Sequence, residues 1–399
     1  MTKVVRLGLA ASLFTILCAT LLPSSAAESG QFLRCIVCGE RGVADVILNV
    51  MLFLPLGGFL ALAGMRWWRL GLGAALLSGS IECAQLFIPG RDSSVADVVS
   101  NTTGALVGCG AALALARSVR RPRRPHLLQG LVAVGTMVTV VAVTGYLVRP
   151  DFPASLYFGQ WTPDLGHLQF YHGQVLQAWL GGVALPSQGL GDSRRVRELL
   201  IGRAPLHVRA LAGPRVSSIA SLFSIADEDA REIVLLGPDR DDLVCRYRTR
   251  AAAWRLDRPF FRVAGALRDV APGDSLDIVV RGNGSSYCLA LNRATWCGLG
   301  FTAGTGWAFL MYPEKLAPWV VGLLSAGWLV GILLPAGYWA RDWATLCLLA
   351  LIAAAGLAWL APAIGLITTP LHEWIGAAVG LTVGWRLRRA HSNPRSAVA

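Results

Sequence analysis

Two stretches of sequence are the most informative about the fold: DVILNVMLFLPLGGFL (Asp45–Leu60) and SIECAQLFIPGRDSSVADVVSNTTGALVG (Ser80–Gly108). Both are apolar enough to lie in a bilayer, yet polar side chains recur at what would be the same end of each helix. Placing charged and amide groups inside a bilayer costs free energy. Such groups are therefore retained only when they are paired with other polar groups or have a function. These polar residues are Asp45, Asn49, Glu82, Gln85, Arg91, Asp97 and Asn101.

The composition indicates an integral membrane protein with a soluble part. Of the 399 residues, 54% are hydrophobic and only 15% are charged, whereas soluble domains carry about 25% charged residues. The net charge of +12 is concentrated in arginine clusters at segment ends: Arg66 with Arg69, Arg117–Arg124 and Arg386–Arg389. This is the positive-inside pattern of membrane proteins, and it argues against a nucleic-acid partner.

We predict a mixed fold: a polytopic α-helical membrane protein with about eight transmembrane helices and an inserted antiparallel β-sandwich of the jelly-roll type. Residues 1–148 would form a module of five helices, 149–316 the sandwich, and 317–399 three closing helices with a tail. The segment ending at Leu22 is expected to be retained, although Ser25 and Ala27 would suit a signal-peptidase site.

The arginine clusters also predict the orientation in the membrane. Both termini and the 117–126 loop would lie in the cytoplasm, and residues 149–316 would lie outside. We therefore expect a multi-pass protein of the bacterial inner membrane, in contact with membrane lipids.

Short β-prone runs separated by turn residues fill the predicted outer domain and favour an antiparallel sandwich. SLDIVVRGNGSSYCLALN (Ser275–Asn292) predicts a hairpin with Asn283-Gly284 at its turn, and a helix is expected near Asp192–Gly202. The other predicted strands are Ser218–Ile225, Glu232–Gly237, Asp242–Thr249, Phe260–Leu267 and Gly306–Pro313.

Small residues predict close helix packing. Gly104 and Gly108 form a small-xxx-small seam, and Pro55 with Gly57 suggests a kinked or thinned second helix. SNTTGALVG (Ser100–Gly108) aligns with HEWIGAAVG (His372–Gly380), which fits either an internal duplication or convergence on a packing seam.

The order and spacing of these motifs resemble the VanZ-like family of bacterial membrane proteins. The resemblance is carried by Asp45-x3-Asn49, Phe53-Leu-Pro-Leu-Gly57, Glu82-x2-Gln85, Pro89-Gly-Arg91 and Asp97-x3-Asn101-x2-Gly104. It covers about residues 1–116 and implies a cell-envelope context with a link to glycopeptide antibiotic resistance. It implies no particular reaction. The strand pattern of the outer domain separately resembles concanavalin-A-like or laminin-G-like domains.

The polar residues are spaced so that each helix presents them on one face. Three carboxylates near Arg91 would leave a negative excess, which suits a cation, a protonated carboxylate or a donor-rich ligand such as a sugar. The alternatives are an interhelical hydrogen-bond network without further function, and acid/base catalysis by Glu82 with Asp97 on a lipid-linked substrate. Whether the protein is an enzyme stays open, and we expect no cofactor.

Cysteines on the predicted outer side are candidates for disulfides. Cys288 and Cys297 would bridge neighbouring strands, and Cys35 with Cys38 would form a local bridge, leaving Cys245 over. Cys35 with Cys38 could alternatively be one half of a metal site that lacks its partners, and the spacing of the histidines does not fit a metal site.

The leading function is recognition of an envelope glycan or lipid-linked precursor by the polar cluster together with the sandwich. A lipid-directed enzyme and a structural protein that docks a partner through the sandwich are the alternatives.

Overall fold

The computed structural model describes residues 2–22, 41–89, 91, 93–120, 126–166, 168–311 and 316–392. The chain divides into two compact units. The first comprises Met1–Pro125 with the short segment Trp254–Asp257, and the second comprises His126–Ala253 and Arg258–Ala399. The fifth helix lies in the second unit, and the domain boundaries near residues 148 and 316 stay a prediction.

The described residues of the first unit form four helices: α1 Lys3–Leu21, α2 Gly42–Leu62, α3 Trp67–Gln85 and α4 Val95–Arg120. The Thr2 side chain caps α1 by accepting from the Val5 N–H. Helix α2 continues through Pro55 and ends where Gly64 adopts a positive φ of 88°, the left-handed conformation that favours glycine after a helix. Ile16, Phe53 and Leu70 are fully buried in the core of this bundle.

The second unit contains both helices and sheets. Its helices are α5 His126–Leu147, α6 Ser193–Ile201, α7 Arg250–Ala253, α8 Pro318–Trp339, α9 Trp343–Ala355, α10 Ala361–Ala363 and α11 Leu371–Ser392; a π-helical turn, Gly356–Leu360, joins α9 to α10. Asp192 caps α6 and Asp342 caps α9, each by accepting from a backbone N–H in the first turn. The helix predicted near Asp192–Gly202 is therefore present.

Six helices within the described residues are long and apolar enough to cross a membrane, which makes the chain a multi-pass membrane protein. They are Lys3–Leu21, Gly42–Leu62, Val95–Arg117, Leu127–Leu147, Pro318–Trp339 and Trp343–Ala363. Helices α3 and α11 have 19 and 22 residues but carry more polar side chains and are not in this set. The count of eight spans stays a prediction.

Two antiparallel sheets form the β-sandwich of the second unit. One has the order β1-β5-β6-β7-β8 and the other β11-β10-β9-β4-β2-β3. Tyr157, Leu206 and Phe223 are fully buried in the core shared by these strands. The strands are β1 Tyr157–Trp161, β2 Gln174–Leu180, β3 Val183–Ala184, β4 Leu206–Leu211, β5 Phe223–Asp227, β6 Glu232–Asp239, β7 Asp242–Tyr247, β8 Phe261–Val263, β9 Ser275–Asn283, β10 Ser286–Leu291 and β11 Ala294–Leu299.

The hairpin predicted from SLDIVVRGNGSSYCLALN is formed by β9 and β10. Asn283 pairs with Ser286, so the two-residue loop is Gly284-Ser285, one residue later than expected. Gly284 has a positive φ of 59°, which is the conformation that a tight hairpin loop requires and that glycine adopts without strain.

The strand predicted at Gly306–Pro313 is wrong for residues 306–311, which are the part of it that the structure describes. Residues Ala303–Phe309 instead form a 3₁₀ helix whose buried side chains include Trp307 and Phe309. A short run of apolar residues is compatible with both a strand and a buried helical turn, so the sequence pattern does not distinguish them. The start of this helix is stabilised by a reciprocal capping box between Thr302 and Thr305.

Candidate functional site

The polar side chains predicted from the sequence come from α2, α3 and α4 of the first unit. Glu82, in the last turn of α3, accepts a hydrogen bond from the Ser94 N–H at 2.7 Å. The Ser94 hydroxyl in turn accepts from the Ala96 N–H at 3.1 Å. Glu82 is 7% exposed, and it satisfies a backbone donor that would otherwise be unpaired at the start of α4.

Asp97, in the first turn of α4, lies at the centre of the cluster. Its carboxylate is hydrogen-bonded to the side chain of Asn49 on α2, and it interacts electrostatically with Glu82 and Asp45. Carboxylates from α2 and α3 therefore both act on the Asp97 carboxylate of α4 at this end of the bundle. We call Asp45, Asn49, Glu82, Gln85, Asp97 and Asn101 the α2–α4 cluster.

A positive charge that acts on this cluster comes from Arg41, which the sequence analysis did not identify. Arg41 lies four residues before Asp45 and interacts with it electrostatically, as does Asp257. The Nε atom of Arg41 is 3.4 Å from Oδ1 of Asp257, and the Ala44 N–H donates to the Arg255 carbonyl at 3.4 Å. The i, i+4 spacing of Arg41 and Asp45 was a readable signal, whereas the participation of Asp257 was not.

Two amide side chains extend the cluster into the bundle. Gln85 donates from Nε2 to the Thr20 carbonyl at 2.9 Å, and Asn101 donates from Nδ2 to the Ser78 hydroxyl at 2.9 Å. Both are buried, at 6% and 2% exposure. Among the described residues, no donor reaches Oε1 of Gln85 or Oδ1 of Asn101. Buried acceptors without donors are uncommon and call for an explanation.

Arg91 has a different position from the one expected. Its Nε donates to the Leu22 carbonyl at 2.9 Å and one terminal nitrogen donates to the Ala19 carbonyl at 2.7 Å. The guanidinium thus binds carbonyls at the end of α1, where a cation complements the helix dipole. Within the described part of the chain it does not serve as the counter-ion of Glu82 or Asp97.

The glycines of the predicted packing seam lie between α2 and α4. A Cβ added to Gly57 would be 1.9 Å from the Ala105 carbonyl oxygen, one added to Gly104 would be 2.3 Å from that of Val50, and one added to Gly108 would be 2.0 Å from that of Leu54. Pro55 lies inside the same stretch of α2. The helices approach so closely that any side chain would separate them, and this contact holds the cluster residues together.

The cysteines of the sandwich include one disulfide and one free thiol. Cys288 on β10 and Cys297 on β11 form a disulfide between neighbouring strands, as predicted. Cys35 and Cys38 lie outside the described residues, and Cys245 is free and buried. No group of three or more His, Cys, Asp or Glu side chains within the described residues is arranged to hold a metal ion.

The fold and the cluster define a multi-pass membrane protein that carries a β-sandwich and a polar site among its first helices. A family model described as VanZ/LLP1 matches residues 8–116. That stretch contains all the residues of the α2–α4 cluster, so this part of the chain is VanZ-like. No curated protein and no solved structure matches the chain, and the resemblance of the sandwich to concanavalin-A-like or laminin-G-like domains stays a prediction.

Proposed function

We propose that this protein works in the bacterial cell envelope and recognises an envelope glycan or lipid-linked precursor through the α2–α4 cluster. The observation that carries the proposal is an excess of acceptors. Asp97 interacts electrostatically with both Glu82 and Asp45, and the buried oxygens of Gln85 and Asn101 lack donors among the described residues. A polyhydroxylated ligand supplies the donors that such a site needs.

The charge of the cluster supports a neutral ligand. Arg41 is paired with Asp257, and Arg91 is engaged by the α1 carbonyls, so the carboxylates of Glu82 and Asp97 are not neutralised by these two arginines. An anionic headgroup would be repelled by a site with this balance, because like charges in a region of low dielectric interact strongly. The sugar part of a lipid-linked precursor suits the site better than its phosphates.

The sandwich offers a second polar and aromatic surface. On neighbouring strands of the six-stranded sheet, Trp179 pairs with His207, and Arg209 pairs with Asp277. The ring centroids of Trp179 and His207 are 5.2 Å apart, and His207 is hydrogen-bonded to Asp277. A partly exposed aromatic ring beside hydrogen-bonding groups is a suitable platform for a sugar. This face supports a role for the sandwich in the same recognition.

The test compares ligand binding by the full-length protein in nanodiscs with that of the Glu82→Gln, Asp97→Asn double variant. The probe is a polyprenyl-diphosphate-linked disaccharide, with binding measured by native mass spectrometry. The substitutions keep size and hydrogen-bonding capacity but remove charge. We expect at least a tenfold loss of affinity, about 1.4 kcal/mol, with little change in melting temperature.

The matched control is Glu228→Gln, Asp269→Asn, which makes the same chemical changes at exposed positions and should bind like the wild type. Equal binding by the cluster variant would reduce the α2–α4 cluster to a structural network. Conversion of the probe to a product, lost in the same variant, would favour the enzyme alternative. A comparison of lipids and glycans from cells with and without the gene would place the ligand in the envelope.

A further inference from the structure

The second unit repeats the helix contact that holds the α2–α4 cluster together. Helices α8 and α11 pack closely against each other because glycines on each helix contact backbone carbonyl oxygens of the other. Helices α2 and α4 pack in the same way. A Cβ added to Gly337 would be 2.0 Å from the carbonyl oxygen of Leu381. One added to Gly380 would be 2.7 Å from that of Val330, and one added to Gly384 would be 2.2 Å from that of Leu334. Each of these contacts has a counterpart between α2 and α4, in the same order along both helices.

The sequence spacing agrees with this correspondence. Leu54-Pro-Leu-Gly57 in α2 matches Leu334-Pro-Ala-Gly337 in α8. Helices α3 and α9 both begin at a tryptophan, and each begins 28 residues before the helix that follows it in the repeat, α4 or α11. Gly104 therefore corresponds to Gly380. The sequence alignment of Ser100–Gly108 with His372–Gly380 pairs Gly104 with Gly376 instead, so the structural register is shifted by one helical turn. The glycine contacts, the Leu-Pro motif and the helix spacing all agree with one alignment of the two helix sets. This agreement favours an internal duplication over convergence on a packing seam.

In this register the polar sites also correspond. Asp97 is the third residue of α4, and Glu373 is the third residue of α11. Asp45 lies nine residues before Leu54 in the Leu-Pro motif, and Ser325 lies nine residues before Leu334. The second unit thus has an acidic group and a hydroxyl where the first unit has two carboxylates.

The chain itself fills the site of the second unit. Glu373 is fully buried; one carboxylate oxygen accepts from the Thr302 hydroxyl, and the other accepts from the Gly304 N–H at 2.9 Å. Trp307 donates from its indole nitrogen to the Ser325 hydroxyl at 3.1 Å. Gly304 is required there, since a Cβ would lie 2.4 Å from Cδ of Glu373. One hydroxyl and one amide N–H together satisfy this carboxylate.

We infer that the Thr302–Trp307 segment stands in for a ligand in the second copy, and that the first copy binds a group presenting a hydroxyl beside an amide N–H to Asp97. An N-acetylated amino sugar has this pair on neighbouring carbons. Its further hydroxyls supply donors for Asp45 and the amide oxygens, which a peptide turn would leave unpaired. The inference rests on the proposed function and specifies the sugar class that the α2–α4 cluster takes.

The experiment measures binding of three methyl glycosides to the full-length protein in detergent by saturation-transfer NMR. They are the N-acetylglucosamine glycoside, its 3-deoxy analogue, which lacks the neighbouring hydroxyl, and the glucoside, which lacks the amide. A hydrogen bond to a charged group is stronger than one between neutral groups. We expect the complete sugar to bind at least tenfold more tightly than either analogue, and Asp97→Asn, but not Glu228→Gln, to remove this preference.

Equal binding of the three glycosides would overturn the inference while leaving the proposed function intact. Tighter binding of the acetylated and amidated peptide Thr-Ala-Gly-Thr-Gly-Trp than of the sugar would also overturn it, in favour of a polypeptide ligand. Binding of no glycan at all, including the lipid-linked probe, would defeat the proposed function as well.

The filled site has its own readout. Glu373→Gln places an amide NH₂ against one of two donors, and Thr302→Val removes one donor, so each should lower the melting temperature. Asp97→Asn should not. Comparable thermal stability of Glu373→Gln and the wild type would show that the segment does not depend on this carboxylate, and would remove its value as a ligand stand-in.

Discussion

Single side chains in the first unit have partners that their sequence neighbours do not suggest. Arg91 lies in the loop before α4, among acidic residues in the sequence, yet it donates to the carbonyls of Leu22 and Ala19 at the end of α1. Glu82 has as its partner the backbone N–H of Ser94. Both are helix-capping interactions, and they leave Asp97 as the carboxylate at the centre of the α2–α4 cluster.

Replacing Arg91 tests this assignment. Arg91→Ala removes two hydrogen bonds and a favourable charge at the end of α1, and we expect the free energy of unfolding to fall by about 1–2 kcal/mol. Binding of the lipid-linked probe should change little. The measurement is denaturant unfolding in detergent, with exposed Arg194→Ala as control. A selective loss of binding with unchanged stability would instead make Arg91 part of the ligand site.

Cys245 permits a second prediction at the same scale. Burial raises the pKa of its thiol from about 9 to about 12, so the thiolate is disfavoured in the folded sandwich. In a variant without the other free cysteines, a maleimide should label Cys245 only after unfolding, whereas Gly189→Cys on the surface should react rapidly. Rapid labelling of Cys245 in the folded protein at pH 8 would contradict its burial.

The pH dependence of stability follows from this raised pKa. An unfolded chain loses the thiol proton near pH 9, while the folded chain keeps it up to about pH 12. The unfolded state therefore binds fewer protons between these values, and stability decreases with pH in that window. Cys245→Ala should show a shallower decrease between pH 9 and 10.5 in denaturant unfolding.

At the level of elements, the helix pairs are set by glycines and the hairpin by its loop. Gly104 and Gly110 lie on the same helix, but only Gly104 approaches a neighbouring carbonyl closely. The periodicity of the sequence correctly predicted the positions of the helices. It also identified the glycines as a packing motif. It did not give the partner helix, because a small-xxx-small seam specifies that a close neighbour exists and not which one.

The matched substitutions Gly104→Ala and Gly110→Ala separate packing from helix propensity. The first forces α2 and α4 apart and should cost about 1–3 kcal/mol. The second meets nothing within 4 Å and should stabilise α4 by up to about 1 kcal/mol. The same contrast is expected for Gly380→Ala and Gly327→Ala if the second unit repeats the first. Equal melting temperatures within either pair would contradict the close contact.

At the level of the whole molecule, orientation in the membrane follows from charge. The arginine clusters at Arg117–Arg124 and Arg386–Arg389 predict a cytoplasmic loop and tail, and an outer sandwich. In intact cells, an impermeant thiol reagent should label a cysteine at Gly189 and should miss one at Ser392. Permeabilised cells should show both. The reverse pattern in intact cells would invert every loop assignment.

The amino-acid sequence by itself determined the membrane class, most helix positions, the β-rich insertion, the disulfide between Cys288 and Cys297, and the VanZ-like motifs. These depend on composition and local periodicity, which a linear chain displays directly. Only the tertiary structure decided that Asp257 acts on Asp45, and that Thr302 and Gly304 satisfy Glu373. Such pairs join residues far apart in sequence, and a hydrogen-bonding group does not reveal its partner until the backbone brings the two together.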